Sequence, residues 1–139
     1  MTFLLPKVVF FNVAKASDKL KKIFQTAEMH FVKKEPLLVL VSDGTSALFI
    51  DEWLWKMEES SFLPHEIADR PSDELIVIAT SNELHQRHFL FNLCPEPPSM
   101  MDKVKIFYEF DDSSSCAKQE LSKKKFAFYK EKGFSIEAR

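Results

Sequence analysis

His85 and His88 lie three positions apart beside Glu83, a separation that on a helix sets two imidazole nitrogens on one face, as a metal site requires. No third ligand is close in sequence and the stretch is polar, so both read as surface histidines. His65 follows Leu63 and Pro64, where a turn or capping hydrogen bond accounts for an imidazole without catalysis. Cys94 and Cys116 are the two cysteines. Either thiol beside a histidine would make a nucleophilic dyad, but only residue type supports one. Their spacing suits no metal site and the chain has no secretory context, so they read as reduced thiols of a cytosolic protein. No catalytic, metal or cofactor-binding residue is assigned.

Phosphate binding is the remaining chemical possibility. Sites of that kind need glycine where backbone approaches the anion, and the chain has two glycines, Gly44 and Gly133. Neither lies in a glycine-rich loop. Asp43-Gly44-Thr45-Ser46 stands where a strand would meet a helix and could hold an anion on the helix N-terminus, although an ordinary capped turn is the simpler account. A small nucleotide-binding or hydrolytic enzyme built on that turn is the alternative function.

The elements that would position these residues follow from pattern. A chain of 139 residues and 16.2 kDa with 45% hydrophobic content makes one globular domain, 1–139. Val8 to Phe11, Leu37 to Val41 and Leu75 to Ala79 are continuous apolar runs, the pattern of strands buried on both faces. Between the first two, Leu20, Ile23, Phe24, Ala27 and Phe31 recur at helical spacing after a Ser17-Asp18 cap, ending before Pro36. A helix from Thr45 to Glu58 follows the second. Phe89 to Leu93 reads as another strand after a loop or turn of helix at Asn82 to His88, and Pro95, Pro97 and Pro98 make a rigid connection. Val104 to Phe110 alternates at first and reads as a half-exposed strand at a sheet edge. A last helix runs from a cap within Asp111 to Ser115 as far as Lys132, with Gly133 in the C-terminal position, and Phe134 to Ile136 closes the chain. Strands alternating with helices predict a three-layer α/β/α fold on a mostly parallel sheet, Rossmann-like but without a glycine-rich nucleotide loop.

The net charge is −2 with a pI near 6.1, which gives no global field to hold a nucleic-acid backbone and points towards protein partners. No apolar stretch approaches the roughly 18 residues of a membrane span. The apolar start at Met1 to Leu5 is interrupted by Pro6 and Lys7 and lacks a basic leader, so it is not read as a signal peptide. The expected location is the cytoplasm.

Two helices carry aromatics away from their core faces. At about 100° per residue, Ala47, Ile50, Leu54 and Met57 share one face, with Phe49 and Trp53 at its edge, while Leu48 and Trp55 point nearly opposite. One tryptophan is expected in the core and the other outside it. Trp55 is then either a binding anchor or covered by the Phe62-Leu63-Pro64 segment folding back. In the last helix Ala117, Leu121 and Phe128 define the expected core face, and Phe126 falls opposite, among Gln119, Ser122, Lys123 and Lys130, with Lys118 and Tyr129 bordering the same surface. Such a platform suits a short acidic peptide ending in an apolar side chain and a carboxylate. The lysines could equally form a solvated face, or contact phosphates while Phe126 stacks on a base.

Ile50-Asp51-Glu52-x-Leu54-Trp55 followed by Ser61-Phe62-Leu63-Pro64-His65-x-x-Ala68 resembles the signature region of the chi subunit of bacterial DNA polymerase III. Weaker similarity extends through Leu75 to Ala79, Phe89 to Leu93 and Phe126-x-x-Tyr129-x-x-x-Gly133-Phe134. The matches spread over the chain from about Leu37 onward; the N-terminal third agrees only in its strand and helix pattern. The resemblance implies a non-catalytic adaptor that joins the clamp-loader assembly to single-stranded DNA-binding protein, touching DNA only indirectly. It implies that the last helix binds the acidic C-terminal tail of that protein at positions matching Phe126, Lys123 and Lys118. Where Lys123 stands the family often has arginine; lysine keeps the charge without the bidentate fork. It further implies a second partner, the psi subunit or a helicase, on a surface that includes Trp55 and Phe62.

Overall fold

The structure, a computed structural model, describes residues 5–57, 63–99 and 101–139. The chain runs β1 (Lys7–Val13), α1 (Ala16–Lys33), β2 (Leu37–Leu40), α2 (Gly44–Lys56), β3 (Glu66–Ile67), β4 (Ile76–Ala79), β5 (Phe89–Asn92), β6 (Ile106–Asp112), α3 (Cys116–Glu131) and β7 (Ser135–Ala138). The seven strands form one sheet in the order β3-β4-β2-β5-β6-β1-β7, and every pairing is parallel.

Strand alternation divides the apolar runs between two cores. Val9, Leu37, Val39, Ile76 and Ile78 face α1 and α2, whose Ile23, Phe24, Ile50 and Leu54 close that layer. Val8, Phe10, Leu38, Val77 and Phe107 face the other way, where Tyr129 of α3 packs against them. Continuous apolar strands with both faces covered are what a parallel sheet between helical layers needs, and the result is a three-layer α/β/α domain. No helix among the described residues is long and apolar enough to cross a membrane.

Three local expectations change. α1 begins one residue before Ser17, after Lys15, which provides no side-chain cap; Asp18 lies in the first turn. β3, two residues long, is too short to leave a periodic signal. The third change is the placement of β6, which lies between β5 and β1 rather than at an edge. Its alternation is real, but the polar member Glu109 is fully buried and finds its partners inside, so the polar face is covered.

The loop from Asn82 to His88 is tied down by Arg87. Its guanidinium donates to the carbonyls of Leu75 at 2.8 Å, Glu74 at 2.6 Å and Ser72 at 3.1 Å, satisfying backbone oxygens of the segment leading into β4.

Candidate functional site

α3 starts at Ser115, whose hydroxyl accepts from the Lys118 N–H at 3.2 Å, and ends before Gly133, which adopts φ +82°. Its buried residues are Ser122, Lys125 and Tyr129, so the face turned to the sheet is not the one that apolar periodicity selects. Ala117 and Leu121 are exposed and Phe128 is half-buried. The reason is that three polar side chains find a complete set of partners beneath the helix. Ser122 Oγ accepts from the Asp112 N–H at 2.9 Å and donates to the Phe110 carbonyl at 3.2 Å. Lys125 Nζ donates to Glu109 Oε1 at 2.9 Å and to the Cys94 carbonyl. The Tyr129 hydroxyl donates to Glu109 Oε2 at 2.6 Å, and Asn92 Nδ2 donates to the same oxygen at 2.9 Å. Burial pushes the Glu109 carboxyl up, against the opposing pull of Lys125, Tyr129 and Asn92.

That network corrects two residues expected on the Phe126 surface, Ser122 and Tyr129, both of which are buried. Tyr129 does not border the Phe126 surface: it is wholly buried, and its hydroxyl is committed to Glu109. Phe126 itself is 44% exposed, with one side of its ring 5.8 Å from that of Phe10. The contact with β1 fixes the ring while leaving a face open, which favours a platform over a mobile side chain. Lys123 and Lys130 are exposed on the solvent side of Phe126. Lys123 pairs with Glu120 at 3.5 Å, both largely in solvent, an arrangement worth little and easily exchanged for another carboxylate. Lys118 stands apart from this set. About 100° per residue places it 80° round from Phe126 and two turns earlier, and it lines a crevice with Lys19 and Leu121.

α2 is capped as its turn predicts: Asp43 Oδ1 accepts from the Ser46 N–H at 2.8 Å, an interaction that holds the carboxyl below its ordinary range. Its buried residues are Ala47, Ile50 and Leu54 alone. Leu48 and Trp55 are exposed, but so are Phe49 and Trp53, at 52% and 39%. The expectation that one tryptophan enters the core is therefore corrected. The helix buries a narrow stripe, and residues at its edge remain outside, where Phe49 and Trp53 meet edge to face at 6.2 Å.

Trp55 is positioned by a group that sequence spacing links only weakly to it. Its ring lies over His65 with centroids 4.0 Å apart. His65 Nδ1 approaches the Leu63 carbonyl at 2.7 Å, and Nε2 lies 3.0 Å from Asp51 Oδ1. A buried imidazole braced at both nitrogens gives Trp55 a fixed base while 45% of the residue stays exposed. Asp51 and His65 thus act as positioning residues for that surface. The signal is their shared place in the motif, not their separation. Phe62, expected on the same surface, lies outside the described residues.

The remaining candidates are occupied structurally. His85 is buried, not on the surface, with Nε2 at 3.0 Å from the Ala68 carbonyl, because the loop folds over the end of β4. His88 is exposed and contacts the Lys103 carbonyl at 2.9 Å. His30 approaches the Tyr108 hydroxyl at 2.7 Å, and burial lowers its pKa. Burial likewise pushes the half-buried Cys94 thiol up, away from the reactive thiolate. Gly44 opens α2 with open space on its side-chain side, nothing lying within 4 Å of where a β-carbon would stand, so its role is that of a turn residue rather than of close approach to another group.

Compared with known proteins, residues 5–137 match the family described as DNA polymerase III chi subunit, HolC. No curated protein matches the chain.

Proposed function

The chain belongs to the family of the chi subunit of DNA polymerase III, and from that premise we propose that it is a non-catalytic adaptor linking the clamp-loader assembly to the acidic C-terminal tail of single-stranded DNA-binding protein. An accessory role in replication follows from the family. The adaptor reading is carried by one observation: Phe126 presents an open aromatic face, braced on Phe10, beside Lys123 and Lys130. An apolar side chain at the end of an acidic tail packs on that face, and the lysines receive its carboxylates. Lys118 lies too far round α3 to join them and is not retained as a contact. All four histidines contact backbone carbonyls or other side chains, which supports a binding role over acid–base chemistry. The cytoplasm is the corresponding location.

Calorimetric titration with the tail peptide tests this reading, set against the same peptide without its terminal apolar residue. The full peptide is expected to bind and the shortened one to lose most of its affinity; equal binding of both would contradict the assignment of Phe126 as the platform.

The surface around Trp55 and Leu48 is assigned to the second partner, the psi subunit or a helicase. Trp55 is 45% exposed and lies outside both core clusters, so its contribution to folding is expected to be smaller than that of a core tryptophan. Trp55→Ala is expected to change stability by no more than about 1 kcal/mol, against roughly 3 to 5 kcal/mol for a core tryptophan. A urea melt of the variant distinguishes the two, and the larger loss would remove Trp55 from the interface.

Direct binding to single-stranded DNA is expected to be weak. The net charge is −2, and Phe126 on α3 and the aromatics of α2 belong to opposite layers of the domain, so they do not line one basic groove. In fluorescence anisotropy, any oligonucleotide binding is expected to collapse as salt rises. Submicromolar affinity at physiological salt would favour a direct nucleic-acid binder.

A further inference from the structure

The two kinds of crossover in this fold leave the sheet in opposite directions. The connection through α1 carries β1 to β2 towards one edge, and that through α3 carries β6 to β7 towards the other. In open α/β sheets the crevice at the carboxyl ends of the strands, where the connections diverge, is where ligands bind. Here it is present as a cavity of about 600 Å³, within the range of small-molecule sites. Its floor is the ends of β2, β5 and β6; α1 and α2 form one wall and α3 the other.

The lining is mainly apolar. Ile23 and Phe49 stand on one side and Leu121 on the other, while Leu93 and Phe110 lie between them. Phe49 and Leu121, at 52% and 37% exposed, are large apolar side chains left open at the mouth. Against these walls stand three ammonium groups. Lys125 is neutralised by Glu109 and Lys19 by Asp112. Lys118 is paired with no carboxylate among the described residues. The Lys19 side chain and charge beside it push its ammonium below the ordinary lysine value, a strain that Asp112 relieves only in part. The rim therefore carries one positive charge more than its carboxylates balance.

From this arrangement we infer that the crevice binds a small organic anion with a flat apolar body, of nucleoside monophosphate size, with its ring between Phe49 and Leu121 and its anionic head at Lys118 and Lys19. The hydroxyls of Thr45 and Ser46 in the first turn of α2 line the same space and supply hydrogen bonds to the polar parts of the ligand. The head group is held by side-chain ammonium groups rather than by a backbone cradle, which is consistent with the lack of a glycine-rich loop. This site is separate from the Phe126 face, and the adaptor function does not depend on it.

The test is a backbone-amide NMR titration of the whole chain with adenosine monophosphate, indole-3-acetate, adenosine and inorganic phosphate. Both ring-bearing anions are expected to shift resonances around Thr45, Ser46 and Leu121 at low millimolar concentration, and the tighter of the two identifies the preferred head group. Adenosine and phosphate, each with half the chemistry, are expected to bind at least about tenfold more weakly. Leu121→Asp and Lys118→Glu change exposed side chains and so leave the fold intact, as their amide spectra will show. Each is expected to abolish the shifts, while Leu121→Asp binds the tail peptide as the wild type does. The inference is overturned if neither anion perturbs these residues, if adenosine binds as well as its monophosphate, or if both folded variants retain wild-type binding.

Discussion

Lys125→Ala is expected to destabilise the domain by about 3 to 5 kcal/mol, the largest single effect on folding, because it leaves the fully buried Glu109 without its cation. Tyr129 and Asn92 still donate to Glu109 Oε2, but they supply no charge. Burial already raises the folded pKa of Glu109 above its unfolded value, and removing Lys125 raises it further. A carboxyl raised on folding favours the native state most below its unfolded pKa, and that contribution is lost as pH rises through the folded value. The variant is therefore expected to be closest to the wild type under mildly acidic conditions and furthest from it at neutral pH. Urea melts at the two pH values check this. Lys125→Met combined with Glu109→Gln, which removes both charges while keeping volume and a carbonyl acceptor for Tyr129 and Asn92, is expected to recover much of the loss. A loss below about 1 kcal/mol for Lys125→Ala at neutral pH would mean that water reaches Glu109.

Phe126→Ala is expected to weaken binding of the acidic tail peptide by about 2 kcal/mol or more, roughly thirtyfold, at any ionic strength. The effect is apolar in origin, so salt does not rescue or deepen it. Lys123→Ala removes a charge contact that is partly screened and already shared with Glu120. Its cost is smaller, and what binding remains depends less on salt. Phe126→Ala also loses the contact with Phe10, so a thermal melt accompanies the titration to show that the variant is folded. A folded Phe126→Ala protein that binds the peptide like the wild type would place the tail elsewhere.

The sheet is legible in the sequence because a strand covered on both faces must be apolar throughout. Leu37 to Leu40 and Ile76 to Ala79 admit no other placement. The Asp43 cap and the left-handed Gly133 are legible for the same kind of reason, since few residues meet those local demands. What does not hold is the rule that apolar residues choose the face. In α3 the inward positions are Ser122, Lys125 and Tyr129, chosen by a hydrogen-bond network whose centre, Glu109, lies on another element. No window of sequence around α3 contains that centre. The same fact makes β6 look like an edge strand and Tyr129 like a surface residue. His85 is hidden similarly, because its partner, the Ala68 carbonyl, belongs to a segment seventeen residues earlier. The exposure of Trp55 is legible, since it stands about 80° or more from each buried residue of α2. Phe126, expected opposite the core, instead lies about 40° from Ser122 and about 60° from Tyr129, at the edge of the buried face, where its ring meets Phe10.

The most direct test of the adaptor function uses intact single-stranded DNA-binding protein, titrated into this chain in solution beside the same protein lacking its acidic C-terminal tail. The account predicts a complex with the intact protein that is lost on removal of the tail and is weakened by Phe126→Ala. Undiminished binding of the tail-less protein, or no binding of the intact one, would contradict it.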